Sequence, residues 1–209
     1  MKTYTYTIKT YLFDELTPDA QRAAWKNDPD AIYYDGWNSE YRATLAAFER
    51  VFNISVQYDV DSCRYTFDYF KPCENGDEIS DPLRLACYVW NNYAPHIKKG
   101  KYYSTRGEWI DGKYTYKYRH SKITREMDNC PLTGVCCDAA ILQPVVNCLL
   151  YKEKYSTLED LITAALNEFF KAWRADLEYL ESFENYADIA RCNDWEYLRS
   201  GRRFEGVAL

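Results

Sequence analysis

From Leu158 to Leu180 the chain repeats apolar residues at steps of three and four, with Leu158, Leu161, Ile162, Ala165, Leu166, Phe169, Trp173, Leu177 and Leu180 falling on one helical face. That period is the signature of an α-helix with one broad apolar stripe. Exposing such a stripe to water is costly, so the other segments must cover it. Ser156-Thr157-Leu158-Glu159 reads as a capping box that opens the helix. Phe169, Phe170, Trp173 and Phe183 have the composition of a ligand pocket, but core-facing helices require this same spacing.

The covering elements can be read in turn. Residues 2–12 alternate, with Tyr4, Tyr6 and Ile8 on one face, and predict a strand. Thr17-Pro18-Asp19 supplies a cap, a first-turn proline and a first-turn acid for a helix that Asn27-Asp28-Pro29 breaks. Tyr41, Leu45 and Phe48 form the stripe of a second helix over about 38–51. Alternation over 53–59 and 63–70 predicts a hairpin, and Pro82 starts a helix ending near Tyr93. Asp138–Tyr151 predicts a helix interrupted by Pro144, with Asp138 as its cap. A short helix near 186–192 and a small hairpin around Ser200-Gly201 close the chain. The whole, residues 1–209, is expected to be a single α+β domain: antiparallel hairpins packed with several helices, one long and C-terminal.

The clearest hairpin signal lies at 101–119, where Asp111-Gly112 suits a two-residue turn with positive φ at both centres. Period-two alternation puts Tyr114, Tyr116 and Tyr118 on one face with Trp109. It puts Lys113, Lys117 and Arg119 on the other with Arg106 and Glu108. Charge marks the same place. The 209 residues carry a net charge of -6, but residues 96–125 hold 9 basic and 2 acidic side chains. Residues 1–95 hold 9 basic and 15 acidic, and residues 126–209 hold 8 and 15.

Three readings of this pattern stay open. Arg106, Trp109, Lys113, Tyr116, Lys117 and Arg119 could bind nucleic acid, with cations on phosphate and rings under bases. The acidic segments could instead occupy the nucleic-acid groove of a protein partner. Or the hairpin is a solvated edge whose lysines discourage strand pairing and whose tyrosines pack on the core.

Signals for catalysis are sparse. None of the eight glycines forms G-x-G, so no dinucleotide fingerprint is present, and no complete G-x-x-x-x-G-K-[ST] phosphate-binding loop occurs, because Tyr114 follows Gly112-Lys113. A G-x-S-x-G elbow is absent too. With His96 and His120 as the only histidines, an H-E-x-x-H zinc site is excluded. His120, Cys130, Cys136 and Cys137 are four zinc-ligand types, but neighbouring Cys136 and Cys137 point apart and no C-x-x-C pair exists. Nothing local specifies a nucleophile pair between His120 and Cys130 or Cys136. Asp14-Glu15 and Glu159-Asp160 sit at helix starts, where the helix dipole accounts for them. The expectation is no catalytic residue, no metal and no cofactor. The start of the chain has no continuous apolar stretch, and the eight cysteines read as free thiols, so a cytoplasmic, non-membrane protein is expected.

Several motifs together resemble a known family. Tyr11-Leu12-Phe13-Asp14-Glu15-Leu16-Thr17-Pro18-Asp19-Ala20 resembles the F-D-E-L-S-x-E-A opening of small proteins carried by phages and other mobile elements, especially in gut Firmicutes. Cys130-Pro131-Leu132-Thr133-Gly134 with Asp138, Ile141-Leu142 and Pro144 is similar to a second stretch of that family. Ala172-Trp173-Arg174-Ala175-Asp176-Leu177-Glu178-Tyr179, then Asn193-Asp194-Trp195-Glu196-Tyr197 and Gly201-Arg202, are similar to its later stretches. The likeness covers roughly residues 11–25 and 118–205. This chain departs from it in the doubled Cys136-Cys137 and the more basic turn Arg199-Ser200-Gly201-Arg202-Arg203. Members are often labelled antitoxins of a toxin–antitoxin stability system.

The shared residues are turns, caps and core aromatics, which implies a constrained fold rather than an active site. The resemblance implies a phage or mobile-element interaction protein in a bacterial host cell. Its expected action is to inhibit a nucleic-acid-directed defence, as anti-CRISPR proteins do, by binding a nucleic-acid-processing effector. The alternatives are an antitoxin that binds a cognate toxin, and a nucleic-acid-binding accessory protein that uses the 101–119 hairpin.

Overall fold

A computed structural model describes residues 7–70, 79, 81–94, 97, 106–117, 131–134, 137–151 and 155–206. Six α-helices and three two-stranded antiparallel sheets lie among the described residues, a mixed α+β architecture. The chain forms two compact units. One comprises residues 38–174, the other residues 1–37 and 175–209.

The unit of residues 38–174 is built around the long apolar stripe. Helix α2 (Ser39–Phe52) leads through left-handed Asn53 into strand β2 (Ile54–Asp59), which pairs with β3 (Arg64–Tyr69). Asp59 organises the connecting turn by accepting hydrogen bonds from the Asp61 and Ser62 amides and the Ser62 hydroxyl. Helix α3 (Pro82–Asn92) is capped by Asp81, whose carboxylate accepts from the amides of Leu83 and Arg84. Strands β4 (Arg106–Ile110) and β5 (Lys113–Lys117) form the second hairpin of this unit.

Helix α4 (Cys137–Tyr151) runs on through Pro144 rather than being interrupted there. Proline removes one amide from the ladder, but Ile141, Leu142, Val145 and Val146 on both sides of it are fully buried, and packing holds the segment helical. Helix α5 (Leu158–Leu180) then supplies the stripe. Its capping box closes one residue later than the sequence suggests. The Thr157 hydroxyl accepts the Asp160 amide, and the Asp160 carboxylate accepts the Thr157 amide.

The core of this unit is aromatic. Tyr41, Trp173, Phe170 and Tyr65 stack in succession, with centroid separations of 5.0, 6.1 and 5.2 Å and interplanar angles of 20° or less. The Trp173 indole N–H has no hydrogen-bond partner among the described residues, so packing alone anchors that ring. Phe169, Phe170 and Trp173 are buried, as a core stripe requires.

The second unit draws on both ends of the chain. Strand β1 (Tyr11–Leu12) pairs with β6 (Glu196–Tyr197), and a 3₁₀ turn, Phe13–Glu15, follows it. The strand foreseen over 2–12 is thus only two residues long where it is described, because its partner offers two residues to pair with. Helix α1 (Pro18–Asn27) is capped by Thr17, whose hydroxyl accepts the Ala20 amide. Helix α6 (Phe183–Cys192) is capped by Ser182 in the same way. Phe13, Leu16, Ala20, Ala24, Ile32, Tyr186, Ala187 and Tyr197 form the buried centre. The closing turn doubles back, with Leu198 N–H donating to Arg202 O and Gly201 N–H to Leu198 O. Gly201 has φ +89° and packs so close to α1 that a Cβ would overlap the Ala20 carbonyl and stand 3.0 Å from the Ala24 amide nitrogen.

Candidate functional site

The first candidate surface is the β4–β5 hairpin. Asp111 (φ 50°) and Gly112 (φ 75°) both adopt positive φ, which is the two-residue turn that matches strand twist. The ladder pairs Arg106 with Lys117, Gly107 with Tyr116, Glu108 with Thr115, Trp109 with Tyr114 and Ile110 with Lys113. Directly paired residues share a face. Arg106, Lys113 and Lys117 therefore occupy positions on one face, and Trp109 and Tyr116 positions on the other. Trp109 is 73% exposed, far more than a core indole, and Lys113 is also exposed. Tyr118 and Arg119 lie outside the described residues.

The second candidate is the surface of the unit made from the chain ends. It carries 14 acidic and 8 basic side chains, whereas residues 38–174 carry 18 of each. Thirteen of the 14 acids are exposed. Tyr34 and Tyr179 are more than half exposed in the same unit, beside Asp35 and Glu178 in sequence.

Beneath that surface is a polar cluster that pattern reading missed. The hydroxyls of Tyr186 and Tyr197 are 3.2 Å apart, and both residues are fully buried. Burial pushes both phenols above their ordinary range. For Tyr197 the hydrogen bond with Tyr186 adds to the rise, and for Tyr186 it opposes it. Arg203 Nη1 lies 3.1 Å from Asp28 Oδ2, an ion-pair contact outside hydrogen-bond geometry, and stacks its guanidinium 4.6 Å from the Trp195 centroid. Arg191 ties Asp14 of the opening motif to Asp188 of α6.

The Pro131–Gly134 stretch is organised by Asp138. The sequence suggested a cap, but Asp138 lies inside the first turn of α4 and its carboxylate reaches backward. It accepts the amides of Leu132, Thr133 and Gly134 and the hydroxyls of Thr133 and Thr44. Asp138 and Thr44 are fully buried. This carboxylate is consumed by the fold, with five donors and no solvent. Thr44 was legible only as a polar residue on an otherwise apolar helix face.

Of the zinc-ligand types, Cys137 is the half-buried first residue of α4, and His120, Cys130 and Cys136 lie outside the described residues. No group of three or more metal-ligand side chains occurs among the described residues. No helix among them is long and apolar enough to cross a membrane. No family model matches the chain, and searches of curated proteins and of solved structures return no match.

Proposed function

We propose that this chain is a non-catalytic interaction protein of a phage or other mobile element, which inhibits a bacterial nucleic-acid-directed defence by binding its effector. The observation that carries the reading is the charge segregation: 14 acids against 8 bases in one unit, thirteen of the acids exposed. Such a surface complements a basic nucleic-acid channel, accelerates encounter with it and competes for the cations that would hold phosphate. Tyr34 and Tyr179 are suitable anchors, since rings that become buried on binding carry much of an interface's energy. The non-catalytic part is supported by where the buried polar groups go. Asp138 directs its carboxylate to five internal donors, and Tyr186 and Tyr197 bond each other.

Affinity capture from a bacterial lysate, with mass spectrometry of the retained proteins, tests this. A nucleic-acid-processing effector is the expected catch. A small toxic protein encoded beside this gene would replace the reading with an antitoxin role.

A second reading rests on the hairpin. Its exposed Trp109 and Lys113 have the composition of a nucleic-acid contact, with Arg106 and Lys117 paired on the lysine face. Direct binding to nucleic acid would make the chain a nucleic-acid-binding accessory protein rather than an inhibitor of a defence effector.

A further inference from the structure

The β2–β3 hairpin has two outer edges, and the structure treats them differently. Phe70 N–H donates to Asn53 O at 3.0 Å, which sets the alternation of the ladder. Ser55–Asp68 and Gln57–Thr66 are then hydrogen-bonded pairs, and Val56–Phe67 and Tyr58–Tyr65 turn their amides and carbonyls outward. On the β2 edge, Glu49 Oε1 accepts the outward Val56 amide at 2.7 Å, so a side chain occupies one of its outward donors. On the β3 edge, no hydrogen bond reaches the outward main-chain groups of Tyr65 and Phe67 among the described residues. Arg64, Thr66 and Asp68 are exposed, and the Tyr65 and Phe67 rings are half-buried.

We propose that β3 pairs antiparallel with β3 of a second copy of this chain, centred on Thr66, so that Tyr65 of each copy exchanges hydrogen bonds with Phe67 of the other. Only registers that oppose two outward-turned residues can exchange such bonds, and charge selects among them. Centring on Thr66 sets Arg64 directly opposite Asp68 twice. Centring on Phe67 sets Asp68 against Thr66 and Arg64 against Phe70. In the Thr66 register the Arg64–Asp68 positions are non-hydrogen-bonded pairs, the closer kind, where opposite charges attract most. A guarded edge carries repeated lysines, proline or one sign of charge. This edge carries one cation and one anion, spaced to match their own reversal. The contact is short, so the association is weak, with a dissociation constant in the micromolar range.

Sedimentation equilibrium of the full chain from about 5 to 500 μM tests the proposal. The mass should rise with concentration from 24.7 kDa toward twice that value. Arg64→Asp and Asp68→Arg each oppose like charges twice, so each variant alone should stay monomeric over the same range. An equimolar mixture of the two should recover the dimer, because every introduced charge then faces its opposite. Arg64 also lies across from Asp59 in its own hairpin, and Asp68→Arg leaves that pair intact. Both sites are exposed, and unchanged circular dichroism would verify folding of each variant. A monomeric wild type, single variants that dimerise like wild type, or a mixture that stays monomeric would each overturn the proposal.

Discussion

Thr44 Oγ1 donates to Asp138 Oδ1 at 2.9 Å, and neither residue touches solvent. The bond joins α2 to the first turn of α4. The same carboxylate gathers the Leu132, Thr133 and Gly134 amides. Asp138→Ala leaves the Leu132 and Thr133 amides and the Thr44 and Thr133 hydroxyls without this acceptor inside the core. The expected cost is about 3–5 kcal/mol, enough to unfold most of a marginally stable unit. Thr44→Val, which removes one donor and keeps the shape, should cost about 1 kcal/mol. Urea unfolding followed by tryptophan fluorescence measures both, and equal small losses would contradict the organising role of the Asp138 carboxylate.

Gly201 tests the other unit. Any side chain there meets the α1 backbone and must also hold φ +89°. Gly201→Ala should lower stability by about 2–4 kcal/mol, since backbone cannot move aside as a flexible side chain can. Gly112 also has positive φ, but nothing lies within 4 Å of the place a Cβ would occupy, so Gly112→Ala should cost only about 1 kcal/mol. Thermal melts of the two variants should differ in that order.

The buried phenols predict an alkaline limit. Tyr186 and Tyr197 both titrate above their unfolded value of 10.0. Protons are therefore held more tightly in the folded state, so the contribution is fully present below pH 10 and is lost as pH rises beyond it. Tyr197→Phe removes one titrating group and orphans the Tyr186 hydroxyl. It should cost about 1–2 kcal/mol at neutral pH and flatten the stability loss above pH 10. Denaturant midpoints across pH 7–11 read both effects, and a variant as steep as wild type would argue against the cluster.

For the hairpin, Lys113→Ala alone, at an exposed position, should leave the melting temperature within about 2 °C of wild type, and circular dichroism should show Lys113→Ala combined with Lys117→Ala still folded. If the hairpin contacts nucleic acid, the same variant should abolish a gel shift that wild type gives. Retention of the shift would remove the hairpin from that role.

Local chemistry was readable wherever one or two residues decide the geometry. Thr17 before Pro18, and Asp111-Gly112 between alternating runs, are such places, and both appear as read. The 158–180 stripe was readable because its period persists over its whole length. What escaped the sequence depends on distant partners. The extent of β1 is set by how much of β6 reaches it, and the direction of the Asp138 carboxylate by a loop on its N-terminal side. The Tyr186–Tyr197–Arg203–Asp28 cluster joins residues from both ends of the chain, which no local pattern encodes. The basic segment and its hairpin register were legible, but what they bind is not written in periodicity.

If exposed charge drives recognition of the partner, added salt must weaken the complex, because exposed pairs separated by more than about 10 Å are screened at about 0.1 M and nearly all by about 1 M. The complex recovered from a bacterial lysate should be retained at low salt and released well before about 1 M. Retention that is unchanged across that range would contradict the account.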